Sequence, residues 1–306
     1  MDSTEATTEG PANPLGVGAA AIAVGAWGLS TVIVKGIDMG SLAIGAYRFT
    51  IYSITLAAFL AFRKTPISVR VLRESFWGGV ALGVDIAFFF SAVKLTSIAN
   101  ATVIGSLQPV VVAIVAARLF GERISSRSIA LGLVAIVGAV TVVLSSADGA
   151  ESGLAGDALA GGALLSWAAY FVFSRKAKEH ITPQEYTVGA AIWTAIINIP
   201  LAIVFGQDLS WPSTSNWVWL LILTFGSGLL GHSMMNWSIQ QIPLWISSTF
   251  TLLIPVISTI AAWIWLDEAL TAIQIFAILV VVSALAGIVA GQSSVAVRPR
   301  LRLRRR

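Results

Sequence analysis

The stretch IALGLVAIVGAVTVVL, residues 129–144, runs sixteen residues without a charge, and IQIFAILVVVSALAGIV, residues 273–289, does the same near the far end of the chain. A helix needs about 20 mainly apolar residues to cross a bilayer, and with their flanks both runs reach that length. Neither alternates apolar with polar in the ~10-residue segments of a membrane β-barrel. Working outward from them with the same ruler gives ten stretches, near 15–36, 40–62, 74–94, 97–119, 127–145, 155–174, 185–205, 216–239, 244–266 and 271–290. Ten spans of ~20 residues use about two thirds of the chain, so connections are short and no separate soluble domain fits. The fold class expected is an all-α polytopic membrane protein of ten transmembrane helices.

Composition agrees. Of 306 residues, 57% are hydrophobic and 11% charged, with a mean hydropathy of +0.85. A soluble domain is about a quarter charged, so this chain cannot clothe a water-facing surface, and it is too apolar for disorder. There is no cysteine, which excludes a disulfide scaffold and Cys-based metal centres, and two histidines leave little room for a metalloenzyme. Residues 1–14 are polar and lack the basic start of a signal peptide, reading as a disordered tail. Residues 293–306 form a second tail with six arginines.

Cytoplasmic loops carry the Lys and Arg. With the N-terminus inside, the inner loops and the C-terminal tail hold sixteen basic residues, among them Arg63, Arg70, Arg118, Arg123, Arg175 and Lys178. The outer loops hold only Lys35 and Lys94, while Arg48 lies within a span. Both termini are therefore expected in the cytoplasm.

The chain also repeats itself. At a shift of 146 residues, Leu107-x-Pro109-Val110 falls on Leu253-x-Pro255-Val256, and Glu122 falls on Glu268. The Pro-to-Glu distance is thirteen residues in both copies. Trp27 and Trp167 sit mid-span in the first and sixth spans. The copies cover 15–145 and 155–290, five spans each. Five is odd, so the second copy starts on the opposite side and the halves are inverted. Inverted repeats mark secondary transporters, with substrate near the midplane between the halves. A passive channel is the alternative such a duplication also builds.

These residues resemble a known family. The Arg48-Phe49 pair, the run Ser106-Leu107-Gln108-Pro109-Val110 leading to Gly121-Glu122-Arg123, and its echo from Leu253 to Glu268 are similar to EamA-type drug/metabolite transporters. The narrower resemblance is to YddG-type bacterial exporters of aromatic and neutral amino acids. It implies an inner-membrane exporter with an amino-acid substrate, working by alternating access through a central cavity between the repeats, with export of another metabolite or drug as the alternative.

Polar groups inside spans usually face the bundle interior. Arg48 lies about 12 Å deep in the second span, and Asp85 about 14 Å from the same side in the third, so an Arg48–Asp85 ion pair is expected, structural or functional. His232, in the eighth span, offers a group that titrates near neutrality, or a structural histidine. Trp27, Phe89, Trp167 and Tyr170 are aromatic candidates for a cavity wall, or plain packing. Asn100, Gln108, Asn236 and Ser248 are uncharged groups able to bond an amino acid's ammonium or carboxylate, or a neighbouring helix. Pro109 and Pro255 suit symmetric kinks and hinges. Glu122 and Glu268 read as structural, capping the helices that follow at Ser125 and Thr271.

Chemistry motifs are missing. There is no G-x-x-x-x-G-K-[ST] loop to power transport with ATP and no H-E-x-x-H zinc motif. Gly78-Gly79 and Gly161-Gly162 read as close-packing glycines. No enzyme activity, catalytic residue, cofactor, metal or nucleic-acid partner is expected. The expected partners are the small-molecule substrate and membrane lipids, and a monomer suffices.

Overall fold

A computed structural model describes residues 13–35, 37–65, 67–95, 98–145, 153–266 and 269–294. Among them every regular element is helical, as the continuous apolar runs require. The elements are α1 (Pro14–Lys35), α2 (Ser41–Phe62), α3 (Val69–Leu95), α4 (Ile98–Gly105), α5 (Gln108–Leu119), α6 (Ser126–Leu144), α7 (Leu154–Ala177) and α8 (Pro183–Val204). Then come α9 (Thr214–Leu223), a π-helical segment (Thr224–His232), α10 (Ser233–Gln241), α11 (Leu244–Thr249), a 3-10 turn (Phe250–Leu252), α12 (Leu253–Leu266) and α13 (Ala272–Ser294). The tail residues 1–12 and 295–306, with Asp148 and Glu268, lie outside the described residues.

Eight helical stretches are long and apolar enough to cross a membrane: Ser41–Phe62, Ala101–Leu119, Ser126–Leu144, Leu154–Ala177, Pro183–Val204, Thr214–Gln241, Leu244–Trp265 and Ala272–Gly291. α1 is a shorter apolar helix over Pro14–Ser30. α3 is long but carries Arg70, Arg73 and Glu74 near its start and Asp85 further on. The outer faces are apolar, with Ile129, Leu133 and Val137 of α6 and Ile273, Phe276 and Leu279 of α13 all exposed. In water so large a patch would be a liability, whereas lipid is its proper solvent.

Helix starts follow local chemistry. Thr182 and Glu185 close a capping box on α8 with Pro183 in its first turn. The Ser125 hydroxyl accepts from the Ser128 N–H, and the Ser213 hydroxyl from the Asn216 N–H. Small residues let helices approach. A Cβ on Gly78 would lie 1.9 Å from the Tyr186 hydroxyl, and one on Gly79 2.4 Å from Trp193 Cβ, so α3 and α8 meet through that pair as expected. Gly162 likewise receives Phe88, but Gly161 faces open space and is not a packing glycine.

Helix neighbours follow the repeat. With α7 as the counterpart of α1, α7 packs on α3 and on α4 and α5, while α1 packs on α10 with its π-helical segment and on α12. The pairs α2–α8 and α6–α13 join counterparts directly. The loops sort to two ends. Asn13 with Gln241, and Lys178 with the Gln240 carbonyl, belong to one end. Asp38 with Asn216, and Tyr47 with the Leu209 and Ser210 carbonyls, belong to the other.

Two spans are broken at matching places. The fourth ends α4 at Gly105 and restarts as α5, with Pro109 in its first turn. The ninth passes from α11 through the 3-10 turn into α12, where Pro255 is the third residue. Pro109 and Pro255, expected at symmetric kinks, each stand just after such a break. Each proline opens a new helical segment, where its missing N–H costs nothing because no carbonyl precedes it in register. α5 packs on α11, and the Thr251 hydroxyl donates to the side-chain amide oxygen of Gln108 across 3.3 Å, so the breaks face each other.

Candidate functional site at mid-bundle

His232 closes the π-helical segment and is buried. Trp27 of α1, Phe49 and Tyr52 of α2, and Tyr170 of α7 surround its ring, with centroids 5.2, 5.9, 6.3 and 5.9 Å away. Trp167 meets Trp27 edge-on at 5.3 Å, so the mid-span tryptophans of the two repeats touch. Of the side chains expected to line a pathway, Trp27, Arg48, Trp167, Tyr170, His232 and Asn236 are brought together.

The π-helical geometry makes this face possible. Its i→i+5 bonding puts residues five apart in line, so Ser227 and His232 share a face toward α1 and α2. The Trp27 indole N–H donates to the Ser227 carbonyl at 3.1 Å. Gly231 leaves room for that ring, since a Cβ there would lie 2.6 Å from the indole nitrogen. Arg48 reaches the same turn from α2, where its Nη2 donates to the Ser227 hydroxyl at 2.8 Å.

The expected Arg48–Asp85 ion pair does not form. Arg48 is satisfied in part by Ser227, and Asp85 is buried on α3, which packs chiefly on α7 and α8. Arg48 instead meets the Ser227 turn, on another side of the bundle from the α7 and α8 packing of α3. Among the described residues no carboxylate pairs with Arg48.

Asn236 is held on every side. Its amide donates to the Tyr170 hydroxyl at 2.8 Å and to Thr187 at 2.9 Å, and its carbonyl accepts from Ser174 at 2.9 Å. The Tyr170 hydroxyl, which accepts from Asn236, also meets His232 Nδ1 at 3.4 Å, with the imidazole tautomer deciding which of the two donates. Asn236 thus orients the site instead of facing a ligand.

The other candidates lie apart. Phe89 packs in a satellite cluster with Ala92, Ala101 and Ala160. Ser248 spends its hydroxyl on the Trp245 carbonyl at 2.8 Å. Gln108 sits at the facing helix breaks, its amide nitrogen buried without a partner. The side chain of Asn100 lies outside the described residues. Sequence reasoning missed Phe49, Tyr52, Ser174, Thr187 and Ser227. Tyr52 and Ser174 each sit four residues beyond a residue already chosen, Arg48 and Tyr170, which was the available signal.

Glu122 also departs from expectation. It does not cap its own following helix, where Ser125 serves. Its carboxylate accepts from the N–H groups of Leu244 and Trp245 at 2.7 and 3.1 Å, capping α11 of the other half. Arg175 stands 3.7 Å from that carboxylate and donates to the carbonyls of Ile239 and Ile242 at 2.7 and 3.2 Å. One acid and one base thus hold the two sides of the α10–α11 corner, each at the helix end its charge suits. Gly121 makes this reach possible. At φ +66° it turns the chain so that the Glu122 N–H returns to the Ala116 carbonyl.

No three His, Asp or Glu among the described residues converge as a metal site. The architecture is that of a polytopic helical membrane protein with a polar, aromatic centre joined from two like halves. A family model described as the EamA-like transporter family matches residues 14–144 and again 154–290. The chain belongs to that family and is a transporter, not an enzyme. A "Probable amino-acid metabolite efflux pump" of Escherichia coli is 26% identical over 87% of this chain and 92% of its own length. The "Aromatic amino acid exporter YddG" of Ancylobacter novellus is 30% identical over 50% of this chain and 52% of its own. The "Threonine/homoserine exporter RhtA" of Salmonella typhimurium is 26% identical over 81% and 82%. A solved crystal structure, 21% identical, superposes with a TM-score of 0.76 over 93% of this chain and 99% of the other, and so shares the fold.

Proposed function

We propose that this transporter crosses the bacterial inner membrane ten times as two inverted five-helix repeats, with both termini in the cytoplasm, and exports neutral and aromatic amino acids by alternating access. The observation that carries the reading is the meeting of Trp27 and Trp167, one from each half, beside the buried His232 and Tyr170. An aromatic wall with a few oriented polar groups suits a small amphipathic molecule. The names of the relatives support amino acids as that class.

Pairing of α2 with α8 and of α6 with α13 is what a twofold axis between the halves requires, and an odd number of spans per half makes that axis lie in the membrane plane. Arg118, Arg123, Arg175 and Lys178 flank the Glu122 corner, which supports that end as the cytoplasmic one. The facing breaks before Pro109 and Pro255 are the hinges of this reading. Broken helices at a repeat interface recur in alternating-access folds.

The test is reconstitution into liposomes with a panel of L- and D-amino acids, with and without a pH gradient. Saturable, stereoselective flux of neutral and aromatic L-amino acids is the expected result. Flux that rises linearly with concentration and ignores chirality would make the protein a channel.

A further inference from the structure

We infer that Arg48 is the counter-ion for the carboxylate of the transported molecule. This deepens the proposed function and rests on its reading of the mid-bundle centre as the substrate site.

A guanidinium offers five N–H donors in a planar fork that matches a carboxylate. Arg48 uses one of them on the Ser227 hydroxyl, a neutral acceptor. Its Nε is buried and bonds to nothing. No carboxylate among the described residues pairs with it, and the one buried acid at similar depth, Asp85, lies elsewhere. A cation held within a span without an acid to neutralise it points to a partner that comes and goes.

A second observation leads to the same ligand. The Trp167 indole N–H is also buried without an acceptor. It is linked to Arg48 through three contacts, since Trp167 touches Trp27 at 5.3 Å, Trp27 donates to the carbonyl of Ser227, and the Ser227 hydroxyl accepts from Arg48. Around this ring of contacts the unmet groups are donors, and the acceptors are spent. Asn236 has no free amide atom. The Ser227 carbonyl accepts from Trp27 and its hydroxyl from Arg48. A site short of acceptors selects a ligand that supplies them, and a carboxylate brings two oxygens with a full negative charge. The ring face of Phe49 lies 5.2 Å from the Arg48 carbon Cζ, a cation–π contact that uses none of the fork's N–H donors.

The experiment measures ligand-induced thermal stabilisation of the purified full chain. The probes are L-phenylalanine, L-phenylalaninamide, which keeps ring and ammonium but has no carboxylate, and 3-phenylpropionate, which keeps the carboxylate but has no ammonium. Both carboxylates should stabilise the protein, with the amide weaker by about tenfold or more, the value of one charge-assisted hydrogen bond. Arg48→Gln and Arg48→Lys, each checked for a monodisperse peak and a cooperative melt, should narrow the difference between acid and amide, the glutamine variant to near unity. If the amide stabilises wild type as well as the acid does, if no carboxylate stabilises it, or if discrimination survives in Arg48→Gln, the assignment is overturned. Liposome flux of L-phenylalanine is read separately. Carboxylates bound through Arg48 without flux would sink the exporter reading and leave this assignment standing. Saturable flux with equal affinity for acid and amide would do the reverse.

Discussion

Replacing Glu122 should unfasten the two halves at one end of the bundle. The carboxylate is 4% exposed and accepts two N–H groups of α11 at 2.7 and 3.1 Å. α11 is only six residues long, so most of its N–H groups have no partner within it. Glu122→Ala strands the two donors, at about 1–3 kcal/mol each when buried, and leaves Arg175 without its acid. Breaking a buried pair costs about 3–5 kcal/mol, and because the two losses overlap the expected destabilisation is about that figure, not the sum. Glu122→Gln keeps one oxygen for one of the two N–H groups, turns an amide donor toward the other and loses the charge, so about 2–4 kcal/mol is expected. Arg175→Ala frees the carbonyls of Ile239 and Ile242 but leaves the carboxylate with its two donors, at about 2–3 kcal/mol. The assay is reversible unfolding in mixed micelles, run as a double-mutant cycle. The double variant should lose about 1–3 kcal/mol less than the two singles together. A cost below about 1 kcal/mol for Glu122→Ala, or strict additivity with Arg175→Ala, would refute the capping argument.

Three further outcomes follow from the same contacts. Asn236→Ala removes the shared partner of Tyr170, Ser174 and Thr187 and should destabilise by about 2–4 kcal/mol in the same unfolding assay, whereas Asn236→Gln should fail to restore it because the longer amide overshoots all three. Gly231→Ala drives a Cβ to 2.6 Å from the Trp27 indole and should cost about 1–3 kcal/mol with a shift in tryptophan fluorescence, while Gly228→Ala, whose Cβ meets nothing nearer than 3.7 Å, should melt like wild type. Cysteine accessibility should divide the loops, with single cysteines at Lys178 or Arg123 labelled only from the cytoplasmic side and ones at Asp208 or Ser210 only from the other.

Eight of the ten expected spans coincide with helices long and apolar enough to cross, because a bilayer imposes length and apolarity on every residue of a crossing, a signal that survives without any knowledge of neighbours. Counting residues along the spans of Arg48 and Asp85 gives each an expected depth. It could not give their partners, because depth follows from the 1.5 Å rise while partnership depends on rotation about the axis and on which helix lies alongside. Ser227, the actual partner of Arg48, is 179 residues away. The π-helical segment was equally hidden. Thr224–His232 is apolar and small, and reads as ordinary helix until Trp27 and Arg48 are seen to occupy the space its glycines leave. Ser125 as a cap was local and legible. Glu122 was not, since its donors belong to residues 244 and 245, and the only hint was a glycine one position earlier whose left-handed turn serves no helix of its own.

Among the described residues, the two ends of the bundle are tied unequally. At the end rich in basic loops, the corner between α10 and α11 is gripped by a buried carboxylate from one half and by Arg175 of α7 and Lys178 just after it, through five hydrogen bonds in which one partner is charged. At the other end, the two bonds between Asp38 and Asn216 and those of Tyr47 to the Leu209 and Ser210 carbonyls are neutral, and most are exposed. Neutral exposed bonds exchange readily with water, whereas a charged group leaving a buried site must first be rehydrated or re-paired. If the halves rock about the facing breaks at Gln108 and Thr251, the neutral end opens at lower cost. Opening the basic end requires either breaking the Glu122 corner or moving it as a rigid body with α5, α7 and α11. Under the proposed export, with the basic end facing the cytoplasm, that end has to open too, and the free energy for releasing this corner then has to come from the cycle itself. The closing of Arg48 and the aromatic wall around a bound carboxylate is the contact set within the bundle able to contribute it.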